Sequence, residues 1–352
     1  MKFYASLINF RFFLGSQLAK PRVAISRDWL ARVAQKDSKL FSAYQNFLAK
    51  KTSLIELALK LPHIAAIGDS ITTDSYVASL PKMFWKTWAG KKGNWFLETD
   101  RSRGIKSIFE RINAQIPLIA VQHSTPASRV TGRRTFIDKL LNRKSMTCQV
   151  DEVLSQSKFP DMLLIWTGHS AIDWAGSVAL KDNAKLDSEL NNIAKQFQEN
   201  FEEQLKRLCD AAVNQNRKIV IIVFGFISLR VLFKLRDAAE IKKNGNPSLF
   251  PYFEKTYHMF KSLRPKYREQ TILLADKMNR ELADIVASCR KKYKRCSAFR
   301  IIYSEDLSKA ITGSIECVSS SDAWHPSPEG QRQIAEAAWP VIQKQLEFLK
   351  LK

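Results

Sequence analysis

Five short apolar runs, separated by long stretches of helical periodicity, constrain the fold of this 352-residue chain more than any other feature. The strongest is Lys218 to Phe224, Lys-Ile-Val-Ile-Ile-Val-Phe, which after its lysine holds only β-branched and aromatic residues. Ile64 to Ile67, Ile116 to Val121, Met162 to Trp166 and Phe299 to Tyr303 have the same character, with breakers such as Gly68 and Gly168 beside them. A run that is apolar at every position is buried on both faces, as the strands of a parallel sheet are. Apolar residues recur at helical spacing over 186–213, 266–294 and 328–349. This alternation predicts an α/β fold in which a five-stranded parallel sheet lies between two helical layers. Residues 1–62 carry helical spacing of their own, with Trp29, Leu30 and Val33 followed by Leu40, Phe41, Tyr44 and Phe47. They read as a helical N-terminal extension, and residues 63–352 as the main domain, with an aromatic-rich insertion at 226–262. No Pro/Gly/Ser-rich linker divides the chain.

In a parallel sheet, ligands bind outside the carboxyl ends of the strands. Gly68-Asp69-Ser70, His123-Ser124, Gly168-His169-Ser170 and Gly225 each follow directly on a predicted strand, so four strand ends converge on one rim. Far downstream comes Asp322-Ala323-Trp324-His325-Pro326-Ser327-Pro328-Glu329-Gly330, running into an Ala-rich apolar helix. Ser70, His325 and Asp322 supply the groups of a serine hydrolase: a hydroxyl, an imidazole base and a carboxylate to orient the base. Ser70 and His325 are 255 residues apart, so the chemistry exists only if the fold joins two distant segments. Asp322 lies three residues before His325, near enough to accept from the second imidazole nitrogen and set the tautomer.

These motifs resemble those of the SGNH (GDSL-type) hydrolase superfamily over residues 60–350. Ile67-Gly68-Asp69-Ser70-Ile71-Thr72 is similar to the family's first block. Asp322-Ala323-Trp324-His325-Pro326, with Gly330 and Ile334-Ala335 behind it, is similar to the fifth. The resemblance implies a flavodoxin-like three-layer α/β/α fold. It also implies Ser70 as nucleophile, with its own N–H available to the oxyanion, His325 as base and Asp322 as the partner of that base. The implied reaction is hydrolysis of a carboxylic ester through an acyl-serine intermediate, with acyl transfer to an alcohol as the related outcome. No cofactor and no metal are called for.

The middle blocks depart from the family pattern. Ala127 stands where the family has a glycine whose N–H lines the oxyanion hole, and the backbone can still donate if the turn avoids a positive φ. Gly168-His169-Ser170 replaces Gly-x-Asn, so the Ser170 hydroxyl takes the place of a longer amide donor. Asp69, His169 and Trp324 are further candidates for site or substrate contacts, and His169 also reads as a structural histidine. The altered positions keep a second class open, a catalytically weakened protein of the same fold that binds membranes or nucleic acid.

Charge bears on the partner. The formal net charge is +22, and its excess lies in three blocks, 1–62, 82–144 and 226–300. The functional reading is an anionic partner, a phospholipid or an acidic glycan, with nucleic acid disfavoured; the bland reading is a solvated basic surface. Two of the blocks follow the first and fourth strands, which predicts positive charge around the mouth of the site. With the aromatic insertion, that tilts the ester toward a lipid, with O-acetyl groups on an acidic glycan next. Five cysteines, odd in number and without Cys-x-x-Cys spacing, suggest neither a disulfide framework nor a zinc site. The N-terminal apolar stretch is broken by Arg11 and fits a basic amphipathic surface helix better than a secretory signal. A cytoplasmic or peripheral-membrane protein is the favoured expectation, secretion is the alternative, and the oligomeric state is not legible.

Overall fold

The computed structural model describes residues 22–25, 41–43, 45–46, 49–51, 60–69, 71–72, 94–97, 106–124, 128, 130, 145–170, 172, 186–247, 268–311, 313–319 and 323–351. The sheet contains β1 (Arg22–Ile25), β2 (His63–Gly68), β3 (Ile119–Gln122), β4 (Met162–Trp166), β5 (Ile219–Phe224) and β6 (Phe299–Ser304). Their order is β1-β3-β2-β4-β5-β6. The last five are mutually parallel, with Ile64 opposite both Ala120 and Met162, and Ile219 opposite Phe299. Counted among themselves, the parallel strands run second-first-third-fourth-fifth, the flavodoxin-like order. The predicted five-stranded parallel sheet is therefore present.

A sixth strand comes from the segment that helical spacing had marked as wholly helical. Arg22–Ile25 pairs antiparallel with β3, Arg22 opposite Gln122 and Ile25 opposite Ile119. Four residues at a sheet edge are held by backbone pairing with the neighbouring strand, and side-chain periodicity carries no trace of that. Residues 41–43 and 45–46 are helical, as the spacing predicts.

All residues of β2, β3, β4 and β5 are buried, because each lies between two neighbours and under two layers. Each buried Ile or Val side chain contributes roughly 1.5–3 kcal/mol. Edge strand β6 is only partly covered, with Arg300 exposed. The helices are α1 (Ile108–Asn113), α2 (Met146–Leu154), α3 (Leu186–Val213), α4 (Leu229–Gly245), α5 (Arg268–Lys292) and α6 (Pro328–Leu349). α2, α3 and α5 pack side by side on one face of the sheet, and α1 packs with α6 on the other.

Local sequence sets the helix ends. Ser145 caps α2 by accepting from the Cys148 N–H, and Ser327 caps α6 by accepting from Gly330 N, with Pro328 at the first turn. Helix α4 lies within the aromatic-rich insertion. It buries Leu229, Leu232, Phe233 and Leu235, and Asp237 accepts from both terminal nitrogens of Arg268 at 2.6 Å. Residues 248–262 of that insertion lie outside the described residues.

The topology also places the charge. α5 starts at the carboxyl end of the sheet and returns to its amino end, where β6 begins, so the cationic run Arg290–Arg300 sits at the pole away from the rim. The predicted basic mouth rests on 82–144 and 226–300, and residues 248–267 of the second block lie outside the described residues. In a βαβ unit the connecting helix must end where the next strand starts, and the positive charge here is concentrated at the helix end. Most of the 82–144 block lies outside the described residues. All five cysteines are free thiols, and among the described residues no His/Cys/Asp/Glu group could hold a metal ion. No described helix is long and apolar enough to cross a membrane.

Candidate active site

The switch point of the strand order lies between β2 and β4, whose carboxyl ends carry Asp69 and His169. Asp69 is fully buried. One of its oxygens, Oδ2, accepts from the backbone N–H of Gly168 (3.1 Å) and His169 (2.9 Å) and from His169 Nδ1 (3.2 Å). The other, Oδ1, accepts from Ile71 N–H at 3.2 Å. Burial, the largest single effect, pushes this carboxyl up. The adjacent His169 and the hydrogen bonds from His169 and the Ile71 and His169 amides outweigh it, so the group sits below the usual carboxylate range. An ionised Asp69 requires His169 Nδ1 to carry the proton. The other ring nitrogen, Nε2, is buried with no hydrogen-bond partner among the described residues, edge-on to Trp166 (5.3 Å) and Phe226 (5.2 Å). His169 is thus packed into the aromatic core behind the rim, and its polar contact is with Asp69.

The turn that follows β2 is gripped on all sides. A Cβ on Gly68 would come within 2.3 Å of Thr72 Oγ1 and 2.4 Å of the Trp166 carbonyl, so only glycine fits. Thr72 Oγ1 donates to that same carbonyl at 2.9 Å. The Gln149 side chain, buried on α2, accepts from Gly68 N–H and donates to Gly68 C=O, both at 2.8 Å, and also donates to Ser128 Oγ at 2.7 Å. It therefore links the first block to the residue after Ala127. Asn94 Nδ2 and Gln122 Nε2 both donate to the Thr72 carbonyl.

Gly168 has φ +120°, and a side chain there would meet the rings of Phe226 and Phe197 within 3 Å. Ser170 follows in a helical turn and is half-buried.

His325 is buried in the loop before α6. The backbone of 317–319 runs antiparallel to that of 325–327. Ser319 N donates to His325 O at 2.7 Å, Ser327 N donates to Cys317 O at 2.9 Å, and Val318 bridges Pro326. Ala323 holds a left-handed φ of 53°, which costs about 1 kcal/mol for a residue with a Cβ. Trp324 is buried beside it. Six residues beyond His325, Gln331 is fully buried; its Oε1 accepts from Trp95 N–H at 3.0 Å and its Nε2 donates to Ile71 C=O at 3.4 Å.

The predicted site residues thus divide. Asp69 and His169 touch, and Ser170 adjoins them. His325 and Trp324 lie in a loop whose following helix is bonded to Ile71, the neighbour of Ser70. Ser70, Ala127 and Asp322 lie outside the described residues. Sequence reasoning missed Gln149 and Gln331. Both fall on the apolar stripe of their helix, Gln149 with Met146, Val150 and Val153, and Gln331 with Ile334, Ala335, Ala338 and Ile342. A glutamine on an apolar stripe is a readable signal of a buried polar tie.

The sequence pattern of the family described as GDSL-like Lipase/Acylhydrolase matches residues 64–338. Comparison with curated proteins finds no match. Among solved structures, the chain is similar to the lipase Lip_vut3 from a goat rumen metagenome, with TM-score 0.43 and 12% identity over 82% of this chain and 99% of that one. It is also similar to an extracellular lipase of Streptomyces rimosus, with TM-score 0.41 and 14% identity over 80% of this chain and 98% of that one.

Proposed function

Because the chain belongs to the GDSL-like lipase/acylhydrolase family and is an ester hydrolase, we propose that it cleaves carboxylic esters through an acyl-serine intermediate on Ser70. Ser70 Oγ attacks the ester carbonyl while His325 takes its proton. The tetrahedral intermediate collapses, the C–O bond to the alcohol breaks, and His325 protonates the leaving alcoholate. Water, deprotonated by His325, then attacks the acyl-serine and releases the acid, restoring Ser70. Asp322 orients the imidazole and offsets its positive charge. The N–H groups of Ser70 and Ala127 and the hydroxyl of Ser170 hold the oxyanion.

One observation supports this reading above the others. Gln331 at the start of α6 donates to the carbonyl of Ile71, so the segment carrying His325 and the turn carrying Ser70 are fastened together. The buried Asp69 cradle and the Gln149 clamp support it further, since they fix Gly68 and Asp69, the two residues before Ser70, and a nucleophile works best from a fixed position.

The substrate in this proposal is a lipid acyl ester, as suits a lipase/acylhydrolase domain. Turnover of p-nitrophenyl esters from acetyl to palmitoyl, with Ser70→Ala as the blank, tests it. Rates that rise with acyl length and vanish in the variant support a lipid ester. Activity confined to the acetyl ester points to an O-acetyl esterase, and turnover equal in the variant removes Ser70 from the mechanism.

A further inference from the structure

We infer that the pole of the sheet opposite the catalytic rim is an electrostatic docking surface for an anionic membrane, with the rim facing the aqueous side. The cations are Arg290, Lys291, Lys292, Lys294, Arg295 and Arg300, all exposed, with no acidic residue between 290 and 300. Lys218 stands at the same pole, its Nζ donating to Phe348 O at 2.8 Å. The chain turns here by backbone bonds from Tyr293 N to Cys289 O and from Phe299 N to Cys296 O, so the run curls around one end of the molecule instead of spreading along a helix face. Asp210 is the acid that reaches this cluster, 3.5 Å from Lys292, and the exposed Glu305 and Asp306 follow β6 at the other end. Strands of up to six residues at about 3.3 Å each separate the two ends by roughly 20 Å.

Lipid head groups fit this surface better than nucleic acid does. Single-stranded nucleic acid is held by aromatic faces on which bases stack. Here the ring faces are already covered: Arg300 lies 3.7 Å from the Phe348 centroid, and Lys292 lies 4.6 Å from that of Tyr293. No large hydrophobic side chain of this stretch is exposed, so the contact is with the head-group plane and inserts nothing. Clustered Lys and Arg at such a plane bind through the summed potential of anionic lipids and lose that attraction in salt. This orientation sends the ester to the site from solution, as a monomer or micelle, and not from the bilayer beneath.

Co-sedimentation of the full chain with vesicles tests this without reference to activity, so its outcome is separable from that of the acyl-serine proposal. The probes are phosphatidylcholine vesicles with and without about 30 mol% phosphatidylserine. Wild type should sediment only with the anionic vesicles, and about 0.5 M salt should release it. Arg290→Glu/Lys291→Glu/Lys294→Glu/Arg295→Glu, which spares the Lys292 contact to Asp210, should bind about a hundredfold more weakly. It should also hydrolyse a soluble ester at the wild-type rate, with or without vesicles. The milder Lys294→Gln/Arg295→Gln pair, confined to the loop, gives a smaller loss if the fourfold variant does not fold. Undiminished binding by these variants, no sedimentation of wild type, or displacement of vesicles by a single-stranded oligonucleotide that binds more tightly would each overturn the inference.

Discussion

Gln331 and Ile71 meet across 260 residues of sequence, the side-chain amide of the first donating to the carbonyl of the second at 3.4 Å while also accepting from Trp95 N–H. This is the described contact that ties the start of α6 to the turn after β2. Gln331→Leu preserves the volume and leaves the buried Trp95 N–H without an acceptor, a loss of roughly 1–3 kcal/mol. We expect a lower Tm, and a kcat reduced about tenfold with KM near wild type, because the variant disturbs the alignment of catalytic groups more than the binding surface. Thermal unfolding together with steady-state kinetics reads both effects; a Tm loss with unchanged kcat would make Gln331 structural only.

His169→Phe tests the Asp69 cradle. The ring volume stays, but Asp69 loses its side-chain partner while keeping the backbone N–H donors. The expected destabilisation is roughly 1.5–3 kcal/mol, the range for a hydrogen bond to a charged group. Because the folded Asp69 carboxyl lies below its usual range, its contribution is present above the unfolded value near 3.9 and is lost as pH falls through the folded one. The stability gap between wild type and Asp69→Asn should therefore be constant above about pH 5 and narrow below about pH 4. A gap that widens on acidification would reverse the sign and the account of the cradle.

His63 shifts in the destabilising sense. It is buried at the amino end of β2 with neither ring nitrogen bonded, and burial, aided by the charges of Lys158, His123 and Arg217, lowers its pKa to about 3. The unfolded chain, whose histidine titrates near 6.5, then binds a proton that the folded chain rejects. Stability should fall as pH drops from about 6.5 toward 3, and His63→Leu should flatten that part of the Tm-against-pH curve. Parallel curves for the two proteins would mean the ring is solvated after all.

Ser170→Ala tests the hydroxyl proposed as the third oxyanion donor. Removing such a donor costs roughly 10²–10³ in kcat, so the variant should keep its KM and Tm and lose most of its turnover. A fully active variant would assign the oxyanion to the backbone alone.

Much of the fold is written in side-chain pattern. β4 and the helices α3 and α6 occupy the residues that apolar spacing marks, because continuous apolar runs and three-four stripes are direct images of burial on a sheet and a helix. Strand β1 is not legible, since a short edge strand is set by the backbone of β3. The family is legible because the residue types of its first and fifth blocks have few other uses together. The polar scaffold around them is not, because Gln149, Asn94 and Gln122 act through backbone groups whose positions only the fold supplies. The pole that carries Arg290–Arg300 is not legible either, because a net sign belongs to composition, whereas that pole follows from the direction of α5.

The most direct measurement is active-site titration with a fluorophosphonate, followed by mass mapping of the labelled peptide. One label per chain on Ser70 in wild type, none in Ser70→Ala, and strongly slowed labelling in His325→Ala is the result this mechanism requires. Labelling that persists in Ser70→Ala, or wild type that never reacts although it turns over an ester, would contradict it.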